Sequence, residues 1–306
     1  MAIAASHAPA ELAPPEPPRP RWSASEEASG LALISPTLLY AISLLALPIL
    51  IVFAYSFWSQ DYLTIDRALT LQNYRTALFE PMYQDLLGRS LVISLVVSIV
   101  TVVISYPIAC FISFHGGRHK NLWLFLITVP CWTSYLLRVM SWKVILGYQG
   151  VLNTGLMSAG VTDQPIASLL YNSNAVVITL VHSWAAFAIL PIFVSLEKID
   201  RSLIEAAHDL GDTKLMSFLR VVLPLSLPGV ISALLIVMIP TVGDYVTPKL
   251  VGGKDGVMIA TAIQAQFGKG ANWPLGAALS VTTMVVVSTM AGLTVLALKL
   301  VVRRIR

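Results

Sequence analysis

Six apolar runs constrain this chain more than any other feature. They occupy about residues 31–58, 89–114, 122–146, 175–196, 225–246 and 274–302. Roughly 20 apolar residues in a helix cross the ~30 Å hydrocarbon core of a bilayer. A helix suits that medium because it satisfies every backbone polar group internally. None of the runs alternates with period two, which excludes a β-barrel. Prolines 36, 48, 107, 130, 191 and 240 fall inside the runs, where neighbouring helices satisfy the carbonyls they free. Only 12% of the residues are charged and 56% are hydrophobic, whereas a soluble domain carries about 25% charged residues. The expected fold is therefore all-α and integral to a membrane, with six transmembrane helices.

The organisation expected around these spans is simple. Residues 1–30 are rich in Ala, Pro, Ser and Glu, and Pro14, Pro15, Pro17, Pro18 and Pro20 oppose a stable helix. This segment reads as a disordered tail, with no signal-peptide pattern. The first span covers 31–58, a polar loop 59–88, and a five-helix core 89–302 with an internal loop at 197–224. Orientation follows Lys and Arg. Arg19, Arg21, Arg118, Lys120, Lys198, Arg201, Lys214, Arg220, Lys299, Arg303, Arg304 and Arg306 fall on one side. The opposite loops hold Arg67, Arg75, Arg89, Lys249, Lys254 and Lys269. Twelve against six places both termini and the 197–224 loop in the cytosol. The net charge of +4 is accounted for by this edge distribution, so no nucleic-acid partner is implied. Cys110 and Cys131 lie in apolar runs without redox or zinc spacing.

The 197–224 loop carries the most specific pattern. Ser202-Leu203-Ile204-Glu205 fits a capping box, with Asp200 as a rival N-cap. Leu203, Ile204, Ala207 and Leu210 recur at helical spacing, and Gly211 is placed to end the helix in a left-handed conformation. Asp212 or Thr213 would cap a second helix over 214–222, and Pro224 and Pro228 would turn the chain into the fifth span. Such a helix carries small residues (Ala206, Ala207) that permit close approach and polar residues that need a partner or water; an amphipathic helix lying on lipid is the alternative. Glu205-Ala206-Ala207, Gly211, Val221, Leu223 and Pro224 together resemble the EAA loop of bacterial ABC importer permeases, with Val221 where Ile is usual. The resemblance implies a type I importer fold in the bacterial inner membrane. It also implies an ATPase-coupling role for Glu205, Ala206, Ala207, Gly211, Leu223 and Pro224.

A narrower resemblance concerns cargo. Residues 243–253, from Gly243-Asp244-Tyr245-Val246 to Gly252-Gly253, and 272–280 (Asn272-Trp273-Pro274-Leu275 onward) are similar to stretches of spermidine/putrescine importer permeases, with Val251 replacing a usual Leu. Pro130-Cys131-Trp132-Thr133-Ser134-Tyr135, Arg138 and Trp142 resemble the third span of that family. Ionisable residues inside a membrane are costly and usually functional. Asp244 beside Tyr245 suits an ammonium, through charge and cation–π attraction. The alternative is a turn shaped by Asp244 with Gly243. Arg138 would either pair with Asp244 or cap carbonyls near a proline break, and His182 reads as a packing residue. Asp244, Tyr245, Trp132 and Arg138 are thus the candidate substrate-pathway residues.

No phosphate-binding loop, zinc-protease motif or nucleophile elbow is present in the sequence. No enzyme activity, metal or cofactor is expected. The partners implied by the resemblance are a second permease subunit, two ATP-binding-cassette ATPases, an extracytoplasmic solute-binding protein, the surrounding lipid and a small-molecule substrate. The expected cargo is a polyamine. Iron(III), opine or amino-acid-like solutes are alternatives within the same class. An ion-gradient-driven secondary transporter is the rival from another class, but it leaves the 197–224 loop unexplained.

Overall fold

The computed structural model describes residues 24–61, 64–268 and 270–305, and gives only the backbone course of 24–28, 31 and 301–305. The proline-rich part of the expected tail, together with Lys269 and Arg306, lies outside the described residues. The chain divides into two compact units, Met1–Ile51 and Val52–Arg306. The described part of the first is a single helix, α1 (Ala24–Tyr55), which ends in the second. It begins inside the stretch read as tail. Past Pro20 the sequence Ala24-Ser25-Glu26-Glu27 places acidic residues in a first helical turn, where they favour the helix dipole.

In the second unit a short antiparallel hairpin, β1 (Ser59–Asp61) and β2 (Thr64–Asp66), precedes α2 (Gln72–Phe79) and α3 (Pro81–His115). Next come α4 (Lys120–Thr128), α5 (Tyr135–Ile145), α6 (Val151–Ser158) and α7 (Ser173–Glu197). The 197–224 loop contributes α8 (Arg201–Asp209) and α9 (Lys214–Ser217). A π turn over Phe218–Val222 leads into α10 (Leu223–Val242). Then follow α11 (Val246–Val251), α12 (Ile259–Phe267) and α13 (Trp273–Ile305). Among the described residues five helices are long and apolar enough to cross a membrane, and a sixth span arises if one bent pair is counted as one.

That bent pair corrects the continuous third span expected over 122–146. The chain bends by 86° between Gly117–Trp132 and Tyr135–Ile145. A 3₁₀ turn at Val129–Trp132 contains Pro130, Thr133 is extended, and Ser134 is also non-helical. Pro130 has no amide hydrogen to continue the ladder. The Pro130 carbonyl accepts from the Thr133 hydroxyl at 2.7 Å, and Arg138 donates to carbonyls at the break, as described below.

The centre of the unit is the packing of α3, α7 and α10 on one another. Small buried residues line α3 at Ser90, Ser94, Ser98, Ser105, Ala109 and Ser113. Their spacing, mostly of four, keeps them on one face, and small side chains let helix backbones approach closely. α10 approaches α7 tightly at Gly229, where an added Cβ would lie 2.5 Å from the Pro191 carbonyl oxygen. Val97, Ala109, Leu180, Ile192, Leu196, Ala233 and Val237 fill this seam. A second cluster joins Ala77 and Tyr83 to Val242, Ile259, Ala262, Leu279 and Val287. The segment between α5 and α7 is organised by Asn153, which is fully buried. Its amide donates to the carbonyls of Gly147, Tyr148 and Ile166 and its oxygen accepts from the Ile166 amide at 2.8 Å.

Candidate functional site

The loop between α7 and α10 is built from local caps. At the start of α8 the Ser202 amide donates to Asp200 at 3.0 Å, and this bond holds the Asp200 carboxyl below the usual carboxylate range. Asp200 is therefore the N-cap, and the capping box expected from Ser202 and Glu205 does not form. Only one residue can occupy the cap, and an ionised carboxylate is a stronger acceptor than a hydroxyl. Gly211 ends the helix at φ +91°. The Asp212 amide donates to the Ala207 carbonyl at 3.0 Å and the Gly211 amide to that of His208 at 2.9 Å. This double bond pattern is the Schellman motif. Thr213, not Asp212, caps α9 by accepting from the Met216 amide at 3.3 Å. Asp212 instead pairs with Arg220 at 2.9 Å.

The faces of α8 also differ from the expected single apolar stripe. Ala207 is buried and Ile204 half-buried, but Leu203 and Leu210, seven apart and so on one line, are 47% and 89% exposed. Ala206 and Glu205 are exposed as well, and Glu205 makes no hydrogen bond or ion pair among the described residues. Pro224 sits in the first turn of α10, directly after the π turn. The wider turn relieves the clash a proline ring makes with the carbonyl four residues back, here that of Arg220. Leu223 continues the same helix. The loop is anchored to α3 and α4 through Glu197, which accepts from Ser113 and from Lys120, each at 2.6 Å. Neither of these partners was singled out in the sequence, because nothing local marks a contact between residues so far apart.

A cavity of about 420 Å³ lies behind α8, with walls from Phe114, Ile204, Phe218 and Val222 and a rim that includes His115, Arg201, Glu205, His208 and Lys214. Ser217 also lines it.

The second group of candidate residues gathers at the broken third span and the end of α10. Asp244 follows the last turn of α10, and its Oδ1 accepts from the amides of Val246 at 2.8 Å and Thr247 at 3.3 Å. Its Oδ2 accepts from the Tyr135 hydroxyl, which also lies 2.7 Å from the Thr247 hydroxyl. The carboxylate thus caps α11 and ties it to α5. Arg138 makes no ion pair with Asp244. Its guanidinium donates to the carbonyls of Pro130, Thr133 and Ser183 at 2.9, 3.3 and 3.2 Å, as expected for a residue capping a proline break. The Trp142 indole donates to His182 at 3.0 Å. Together with Arg138 they line a cavity of about 370 Å³. Tyr245 is 42% exposed and Trp132 is 74% exposed, edge-on to Phe125. Tyr135 is the neighbour of Asp244 that sequence reasoning did not single out.

The family described as "Binding-protein-dependent transport system inner membrane component" matches residues 31–306. The chain is 38% identical over 245 residues to the spermidine/putrescine transport system permease protein PotB of Escherichia coli (strain K12), covering 80% of this chain and 88% of that one. It is 36% identical to the PotB protein of Haemophilus influenzae, covering 82% and 87%. A crystal structure of a bacterial alginate ABC transporter, in complex with an alginate pentasaccharide-bound periplasmic protein, contains a similar chain. It superposes with a TM-score of 0.68 at 17% identity, covering 92% of this chain and 96% of that one. That likeness carries the fold.

Proposed function

The chain belongs to the family of inner-membrane components of binding-protein-dependent transport systems, and from that premise we propose that it moves polyamines into the cytosol as the permease subunit of an ATP-driven importer. The observation that carries the reading is α8, a helix capped at both ends that leaves Leu203, Leu210 and an unpaired Glu205 exposed. Exposed apolar groups beside an unpaired carboxylate are what a partner protein surface would cover. The partner in this reading is an ATP-binding-cassette ATPase, two copies per importer, with a second permease subunit and an extracytoplasmic solute-binding protein completing the assembly. In this reading ATP hydrolysis belongs to the ATPases. Both termini and α8 face the cytosol, as the basic-residue bias requires.

The rigidity of α8 gives the coupling its physical basis. Its two caps leave little freedom at the ends, so displacement by a closing ATPase pair passes to α7 and, through Thr213 and the π turn, to α10. Those two helices pack on α3 at the centre of the bundle. The polyamine assignment is supported by the similarity to spermidine/putrescine permeases and by Asp244 and Tyr245. Asp244 has three donors already, and a carboxylate has about four acceptor positions, so one is left for a passing ammonium, with Tyr245 offering a ring face. Arg138 shapes the broken span and Trp132 borders it. The test is co-purification of the ATPase with Glu205→Ala in the intact complex. The variant is expected to insert normally and to lose ATPase capture and uptake. Full uptake from a normally assembled complex would refute the docking role.

A further inference from the structure

We propose that the cavity behind α8 binds the phosphate headgroup of an anionic phospholipid. Two cations at its rim, Arg201 and Lys214, enter no ion pair among the described residues, whereas nearby Lys120 and Arg220 do. Lys214 is therefore available to an anion, and Arg201, which also acts on the Glu197 carboxylate through space, has no contact partner to displace. Deeper in the cavity Ser217 is 1% exposed and its hydroxyl has no hydrogen-bond partner. A buried hydroxyl without a partner is costly, and a ligand oxygen would remove that cost. The cavity is thus prepared for an oxyanion at two depths, by charge at the rim and by a hydroxyl inside.

The remaining walls say what the anion is attached to. Phe114, Ile204, Phe218 and Val222 are apolar, which suits the glycerol and upper acyl portion of a lipid better than a free hydrated phosphate. His115 is the last residue of the spanning helix α3, so the cavity opens where the chain leaves the apolar layer. Headgroup phosphates lie at that depth. Glu205 is the one acid in the lining, and it offsets part of the positive charge, favouring a phosphodiester of single charge over a dianion. A lipid seated here would brace α8 from behind while its other face meets the ATPase. The bracing role rests on the docking function assigned to α8, and the binding site does not.

The test is native mass spectrometry of the purified full chain in neutral detergent, titrated with dioleoyl phosphatidylglycerol or dioleoyl phosphatidylcholine. Wild type is expected to retain phosphatidylglycerol in preference to phosphatidylcholine. The double variant Arg201→Gln, Lys214→Gln should bind it about tenfold or more weakly, since two charge-assisted contacts are lost. Ser217→Leu fills the cavity and should abolish retention. Ser217→Ala, which only removes the hydroxyl, weakens it severalfold and serves if the larger side chain impairs folding. Equal retention of the two lipids by wild type, or undiminished phosphatidylglycerol binding by the double variant, overturns the site. Displacement by glycerol 3-phosphate at matching concentration overturns the membrane as the source of the anion. ATPase capture, scored on the same preparations, reports separately on docking. A preserved lipid preference in a chain that captures no ATPase leaves the site standing and refutes the docking reading.

Discussion

Replacing Gly211 separates a left-handed helix stop from an ordinary helical position. The residue has φ +91° and nothing lies within 4 Å of where a Cβ would be. Any penalty is therefore a backbone penalty, with no steric contribution from neighbours. The left-handed region costs an L-residue about 1–2 kcal/mol, and Asn pays least because its side chain bonds locally. Helix propensity gives the opposite order, with Ala about 1 kcal/mol better than Gly. The amides of Gly211 and Asp212 close the Schellman pair, so their hydrogen exchange reports opening of this cap directly. For Gly211→Ala a loss of about 1–2 kcal/mol corresponds to roughly 5- to 30-fold faster exchange. Gly211→Asn should fall between wild type and Ala, and Gly211→Val beyond Ala. Exchange that is slower in Ala than in wild type would refute the argument, since it would mean that the helix runs through position 211.

Other positions yield equally definite expectations. Arg138→Gln removes the charged donor to the carbonyls of Pro130, Thr133 and Ser183, of which Pro130 keeps its bonds from Thr133, and should destabilise the purified protein by about 1.5–3 kcal/mol in all, the scale of a hydrogen bond to a charged group, read as a lower melting temperature; Arg138→Lys, with a compact ammonium in place of a planar fork, should recover little of it. Gly229→Ala pushes a methyl against the Pro191 carbonyl and should cost about 1–3 kcal/mol by overpacking, visible in the same melt. Asn153→Leu removes four hydrogen bonds, and faster exchange is expected across residues 147–166. The Asp200 cap has a lowered carboxyl pKa, so its contribution is complete above the ordinary Asp value of about 3.9 and is lost only as the pH falls through the lowered value. A carboxyl carbon titration midpoint at or above 3.9 would contradict the cap.

The apolar runs made the spans legible, since hydropathy and helix length answer to the same bilayer thickness. The break in the third run was not legible. Pro36, Pro107, Pro191 and Pro240 lie within continuous helices, so a proline alone does not announce a bend. What distinguishes Pro130 is a tertiary fact, the reach of Arg138 to carbonyls before and within the break and on α7. The caps of α8 were half legible. Gly211 was identified by its type, while the choice between Asp200 and Ser202 depended on where the helix starts, which sequence fixes poorly. Asp244 was visible as an unusual charge, but Tyr135 and Thr247, which hold it, lie on other helices or beyond the next turn. The cavity behind α8 was invisible, because it joins the end of α3 to a loop some ninety residues later.

Transport itself tests the central claim most directly. The complete importer, with this chain, its second permease subunit and its ATPases, is reconstituted in proteoliposomes with the binding protein on the outer side. Uptake of labelled spermidine is then measured with ATP or a non-hydrolysable analogue inside, and with an imposed ion gradient as the alternative driving force. Uptake that requires hydrolysable ATP, is competed by putrescine and is lost in Glu205→Ala is the predicted result. Spermidine uptake driven by the ion gradient without ATP, or ATP-dependent transport that excludes polyamines, would contradict it.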